Sequence, residues 1–309
     1  MRIAFFGLPL AAWLLHQDGH ELAPLVLSPL PAPGRRRIKQ LFGAQVIDAL
    51  ETQREQLAPR IEEALPGADV LLSWFWTRRL PKSWLEACPL GAFGVHPSLL
   101  PRHRGPDPFF WAIDCGDART GVTLHHLAAE YDTGDVVWRE DLGGEVLRTG
   151  NAWRLAKALD RPSLKLLRRA ANTLSNGDPL PRTVQDETQA TWAPAPTDDL
   201  LKCPWRETTE RVLRRIRALS PEPGVALELN GVRFDLLVAS ADSTVSCALL
   251  PGEAQLSDAA VRIRTGDGGI VLERARDESG TEVDRGQLAE LVSARSQVID
   301  SSRILGGNE

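Results

Sequence analysis

The chain has 309 residues, 43% hydrophobic and 25% charged, the balance of a globular protein with length enough for two domains. A formal net charge of −5 gives no overall positive field for nucleic acid. The four cysteines (Cys88, Cys115, Cys203, Cys247) lack the C-x-x-C spacing of a zinc site. That cysteine usage points to a reducing cytoplasm, and no apolar run reaches the roughly 18 residues that a membrane span needs.

The first fifteen residues, MRIAFFGLPLAAWLL, have the length of a short signal peptide but no clean small-residue cleavage site. RIAFFG reads instead as a buried strand running through a turn into the helical spacing of AAWLLHQDG. HELAPLVLS is the second expected strand, and GRRRIKQLFG a basic loop. ETQREQLAPRIEEAL has apolar residues at helical steps, ADVLLSWFW reads as a third strand and GAFGVH as a fourth. Strands alternating with helices imply a Rossmann-like parallel sheet covered on both faces, whose ligands lie beyond the carboxyl ends of the strands. His96 closes GAFGVH and so occupies such an end.

Two further strands, GVTLHHL and DVVWRED, flank a loop carrying Asp132 and Asp135. The long helix AWRLAKALDRPSLKLLRRAANTL contains Pro162, expected to kink or split it. The Pro- and Thr-rich stretch from 179 to 199 reads as a surface linker, and PWRETTERVLRRIRALSPEPG as an amphipathic helix stopped by its prolines. Beyond it come short strands joined by Asn-Gly and Asp-Gly-Gly, the pattern of hairpins in a small barrel. The expected division is a domain over 1–190, a linker over 191–204 and a β-barrel domain over 205–309.

A histidine at a strand end and an acid in a nearby loop suit general acid–base work, because a carboxylate orients an imidazole and favours its charged form. The stretch GVHPSLLPRHRG followed by GVTLHHLAAEYDTGD resembles the folate-dependent formyltransferase family, whose motif is Asn-x-His-x-Ser-Leu-Leu-Pro followed by an Asp-x-Gly loop. The likeness runs along nearly the whole chain. QATWAP and RIRALSPEPG are similar to the linker and barrel of the methionyl-tRNA formyltransferase-like branch, whose second domain is OB-like.

The resemblance implies an enzyme that moves the formyl group of 10-formyltetrahydrofolate to an amine, a small molecule or a charged tRNA, without a metal. It makes His96 the histidine and Asp132 the aspartate, and it places Gly94 where the family has asparagine. Losing one donor to a developing oxyanion costs on the order of 10²–10³ in rate. Gly94 therefore raises two alternatives: a 10-formyltetrahydrofolate hydrolase, or a degenerate member that binds folate or a partner without turnover. A replacement donor from elsewhere would also answer it. His125 and His126 are adjacent on a strand, so at most one of them faces the cleft.

Ser98, Leu99, Leu100 and Pro101 are expected to shape the loop below the histidine, and Arg104 to lie near the ligand. Trp74 and Trp76 fall in the segment similar to the family's pterin-binding loop. The run Arg35, Arg36, Arg37 and Lys39 falls where the tRNA-formylating branch has a basic loop, and Arg211, Arg214, Arg215 and Arg217 share one helix. Against a tRNA partner, residues 201–309 hold 14 Lys/Arg and 17 Asp/Glu, a balance of −3.

Overall fold

The computed structural model describes residues 1–304, with side chains described to Ala294; the last five residues of the expected 205–309 domain lie outside the described residues. The strands are β1 (Arg2–Gly7), β2 (Glu21–Leu27), β3 (Val46–Asp48), β4 (Val70–Trp74), β5 (Ala92–His96), β6 (Thr120–His126) and β7 (Val136–Gly143). They continue as β8 (Val225–Leu229), β9 (Val232–Ala241), β10 (Ala254–Ser257), β11 (Ala260–Arg264), β12 (Gly269–Asp277) and β13 (Glu282–Asp284). The helices are α1 (Pro9–Gln17), α2 (Arg35–Phe42), α3 (Arg54–Ala64), α4 (Lys82–Glu86), α5 (Pro108–Asp114), α6 (Glu145–Thr149), α7 (Ala152–Ser175), α8 (Thr209–Leu219) and α9 (Arg285–Ile304).

The first compact unit comprises Met1–Pro108, Arg119–Gly143 and Ala156–Pro194. Its seven-stranded sheet has the order β3-β2-β1-β4-β5-β6-β7. The strands from β3 to β5 are parallel, as expected, whereas β6 and β7 add on antiparallel. Near-continuous apolar runs make β1 and β4 core strands: Ile3, Ala4, Phe5, Phe6, Val70, Leu71 and Leu72 are fully buried. The outward reversal of the strand order between β1 and β4 is the Rossmann-like feature of the sheet.

Two expectations are corrected in this unit. The segment read as a basic loop is helix α2, because Ile38 anchors it in the core and Arg35 and Lys39 pair with buried Asp48. Pro162 does not split α7, which runs unbroken from Ala152 to Ser175. Buried Leu159, Leu166 and Leu167 hold both flanks of the proline in place.

The second compact unit comprises Phe109–Ala118, Gly144–Leu155 and the chain from Ala195 onward, so the units are not the two contiguous stretches expected. One cause is a buried ion pair: Asp114 accepts hydrogen bonds from Arg211 and Arg215 of α8, which draws the end of α5 into this unit. Its antiparallel sheet has the order β10-β11-β12-β9-β8, with β13 on β12, and curls into a half-barrel. Val212, Ile216 and Leu219 form the buried face of α8.

Candidate active site

The register between β5 and β6 sets the centre: Gly94 lies opposite His125, and His96 opposite Thr123. Side chains alternate along each strand, so Gly94, His96, Thr123 and His125 share one face. His126 falls on the other, where its ring meets Phe93 with centroids 4.6 Å apart.

His96 is 6% exposed, with both ring nitrogens directed at oxygen. Nε2 donates to the His103 carbonyl at 2.7 Å, and Nδ1 lies 3.4 Å from Oδ2 of Asp132. The same Oδ2 accepts the Gly105 amide at 2.8 Å. On its other side, Oδ1 of Asp132 lies 3.6 Å from Nε2 of His125. One carboxylate therefore stands between two imidazoles. Asp132 adopts φ +58°, a left-handed conformation that a non-glycine residue keeps only when its surroundings impose it. Gln185 supplies part of that constraint, since its amide donates to the carbonyls of Asp132 and Gly134.

His125 is 2% exposed, and burial, only partly offset by the nearby Asp132, pushes its pKa down to about 4. Its Nδ1 donates to the His126 carbonyl at 2.8 Å, which leaves Nε2 of the neutral ring as an acceptor. Gly94 opens no cavity. A Cβ there would lie 2.8 Å from the Leu127 Cδ2 tip and 3.7 Å from His125 Nε2.

The remaining predicted residues divide into supports and bystanders. Ser98 donates to the Arg102 carbonyl, while Thr123 donates to the Ser98 carbonyl and accepts the Leu100 amide. Leu100 is buried, its carbonyl accepts from Arg139, and Leu99 approaches Gly121; with Pro101 this turn forms the floor beside His96. Arg104, expected near the ligand, is instead buried and engaged by Gln185 and Glu187, so it braces the Asp132 loop. Trp74, expected as a folate platform, is a core side chain at 3% exposure. Trp76 packs edge-on against Phe6, with its Nε1 buried and unpaired. Asp135 pairs with Arg182.

Sequence reasoning missed Gln185 and left His125 level with His126. The alternation rule could exclude one histidine, and only the register with Gly94 selects between them. Among the described residues no group of His, Cys, Asp and Glu could hold a metal, and no helix is long and apolar enough to cross a membrane.

An α/β sheet with a histidine–aspartate pair at the carboxyl end of a strand has the geometry that general acid–base chemistry needs. The pattern described as "Formyl transferase" matches residues 34–170, and "Formyl transferase, C-terminal domain" matches 200–290. The chain belongs to the formyl transferase family and is an enzyme that transfers one-carbon formyl groups. Methionyl-tRNA formyltransferase of Syntrophus aciditrophicus is 32% identical, over 90% of this chain and 91% of that protein. The enzyme of the same name from Anaeromyxobacter dehalogenans is 32% identical over 83% of this chain and 85% of its own length. HypX from Aquifex aeolicus, solved with tetrahydrofolic acid, superposes with a TM-score of 0.66 at 21% identity, over 93% of this chain and 46% of that one. The N-formyltransferase from Helicobacter canadensis, solved with folinic acid and dTDP-3-aminofucose, superposes with a TM-score of 0.63 at 14% identity, over 87% and 98%.

Proposed function

We propose that the chain takes its formyl group from 10-formyltetrahydrofolate and passes it to the amine of a small molecule, with His96 and Asp132 at the reacting centre. The observation that carries this reading is the pair itself: the 3.4 Å approach of His96 and Asp132 at the end of β5, in a member of this family. The buried, unpaired Nε1 of Trp76 is a donor free for an acceptor atom on a flat heterocycle, which supports the folate donor.

Attack of the acceptor nitrogen on the formyl carbon moves the carbonyl electrons onto oxygen. Collapse of that adduct breaks the bond to N10 of the folate. Overall, one proton leaves the acceptor nitrogen and one arrives at N10. Because Nε2 of His96 is committed to the His103 carbonyl, Nδ1 is the nitrogen left to meet the formyl oxygen, with Asp132 beside it. Interactions of this kind strengthen as charge develops and so act on the rate more than on binding.

The preference for a small amine rests on where the cations are. Arg35 and Lys39 pair with Asp48, Lys39 also with Glu51, and Arg37 stacks on Trp13. Arg211 and Arg215 pair with Asp114, and Arg214 with Glu210. Phosphate contacts need cations that face solvent, and most of these are neutralised internally. A second reading, tRNA as acceptor, is favoured by the curated relatives, which are named methionyl-tRNA formyltransferase and align with most of this chain. The deciding experiment follows release of tetrahydrofolate from 10-formyltetrahydrofolate with no acceptor, with small amines and with methionyl-tRNA. Release dependent on a small amine supports the proposal. Release dependent on tRNA supports the second reading, and release without any acceptor means hydrolysis.

A further inference from the structure

The formyl-transfer reading above gives His125 no role, yet its position beside Asp132 is built. It lies across the β5–β6 ladder from Gly94, at 2% exposure, with its ring 6.5 Å from that of His96 and nearly perpendicular to it. The His126 carbonyl fixes the hydrogen of the neutral ring on Nδ1, so Nε2 presents a lone pair to Oδ1 of Asp132 across 3.6 Å. Two acceptors held face to face in a buried site repel one another, and an incoming proton placed between them relieves that repulsion. His96 Nδ1 offers a second proton position on the other oxygen of the same carboxylate. A short polar side chain at residue 94 would reach into this space, since its Cβ would lie 3.7 Å from His125 Nε2.

We propose that His125 is a positioning residue for formyl transfer: acting through Asp132, it supplies the polar group that residue 94 lacks and holds the transferred proton. The inference rests on the formyl-transfer reading above. As the acceptor nitrogen bonds to the formyl carbon, its released proton is taken up on the carboxylate between Asp132 Oδ1 and His125 Nε2. When the bond to N10 breaks, the electron pair stays on that nitrogen and a proton returns to it from the same Asp132–imidazole cluster. One proton enters, one leaves, and nothing is oxidised or reduced. Asp132 from the loop after β6 and His96 from β5 face His125, and His126, on the opposite face of the same strand, also acts on its charge. Burial and the two histidines disfavour the charged ring, while Asp132 favours it. A ring so weakly basic releases its proton readily, as a transient holder must.

The test is a cycle of kinetic variants with one measurement independent of turnover. His125→Met keeps most of the volume and removes the lone pair. It is expected to lower kcat about a hundredfold while leaving KM for the folate within about twofold, the signature of lost proton handling. Gly94→Asn alone should lower kcat, whereas the same substitution added to His125→Ala should raise kcat above that of His125→Ala alone. Relief of packing alone gives the same reversal of sign, so the split between kcat and KM in His125→Met and the ring tautomer carry the discrimination. Nitrogen-15 NMR of the histidine rings should find His125 with its hydrogen on Nδ1 at neutral pH. If the wild type forms product and His125→Met keeps its rate, the inference fails while the functional reading stands. If the wild type does not release tetrahydrofolate at all, that reading fails, and a hydrogen found on Nε2 overturns the inference in either case.

Discussion

Gly94 and His125 occupy one rung of the β5–β6 ladder, and the imidazole fills part of the space that a side chain on the glycine would need. The glycine is thus matched to its neighbour rather than a vacancy in the site. Gly94→Asn must turn the Leu127 tip aside and compete with His125. We expect an intact fold and a kcat lowered about ten- to a hundredfold, the scale of a displaced catalytic group. Steady-state kinetics together with circular dichroism checks this; a gain in rate would show that glycine merely lacks a donor.

Gln185 ties the Asp132 loop to Arg104 through hydrogen bonds to the carbonyls of Asp132 and Gly134. Gln185→Ala frees that loop from its left-handed turn. The expected result is a fall in kcat of about tenfold or more together with a loss of about 1–3 kcal/mol in stability, because buried Arg104 and two carbonyls lose their partner. Thermal unfolding and initial rates on one preparation separate the two effects.

Asp114 holds Arg211 and Arg215 at 1% exposure. Burial works to raise its carboxyl pKa, but the hydrogen bonds from Arg211 and Arg215 outweigh it and leave the group below its ordinary value. A depressed folded pKa contributes stability above the unfolded value of about 3.9, and that contribution is lost as pH falls through the folded value. Asp114→Ala should therefore destabilise the second unit by about 3–5 kcal/mol at neutral pH, with the deficit shrinking below about pH 4. Urea unfolding at several pH values measures it.

The stretch from Thr183 to Ala193 is not a free linker. Thr183 bridges to Val136, and along the bridge from Arg104 to Trp192 the Arg104 amide donates to the Thr191 carbonyl and the Ala193 amide to the Arg104 carbonyl. Limited proteolysis should spare 183–193 and cut first between 195 and 199, where most residues are exposed, ahead of the Leu200 and Lys202 carbonyls that Arg215 holds. Mass spectrometry of the first fragments identifies the cut.

Much of the first sheet was legible because apolar runs of strand length, each followed by a helical pattern, mark β1, β2, β4 and β5 without ambiguity. Val46–Asp48 was not, since three residues leave no period to read. Helix α2 was hidden by its charges: a run of arginines looks like a solvated loop until Asp48, Glu51 and Trp13 are seen beside it. His96 and Asp132 were found through the spacing of a motif. His125 and Gln185 were not, because pairing across some thirty residues of sequence, or fifty, is a property of register and loop closure. Asp114 reads as an unremarkable helix end until α8 brings two arginines to it.

The central claim is that the His96–Asp132 pair performs formyl transfer. Its most direct test is single-turnover release of tetrahydrofolate from 10-formyltetrahydrofolate by the wild type and by Asp132→Asn, each saturated with donor and the accepted amine. The account predicts a rate lower by about 10²–10⁴-fold in the variant, with donor affinity nearly unchanged. A variant that turns over at the wild-type rate would contradict it.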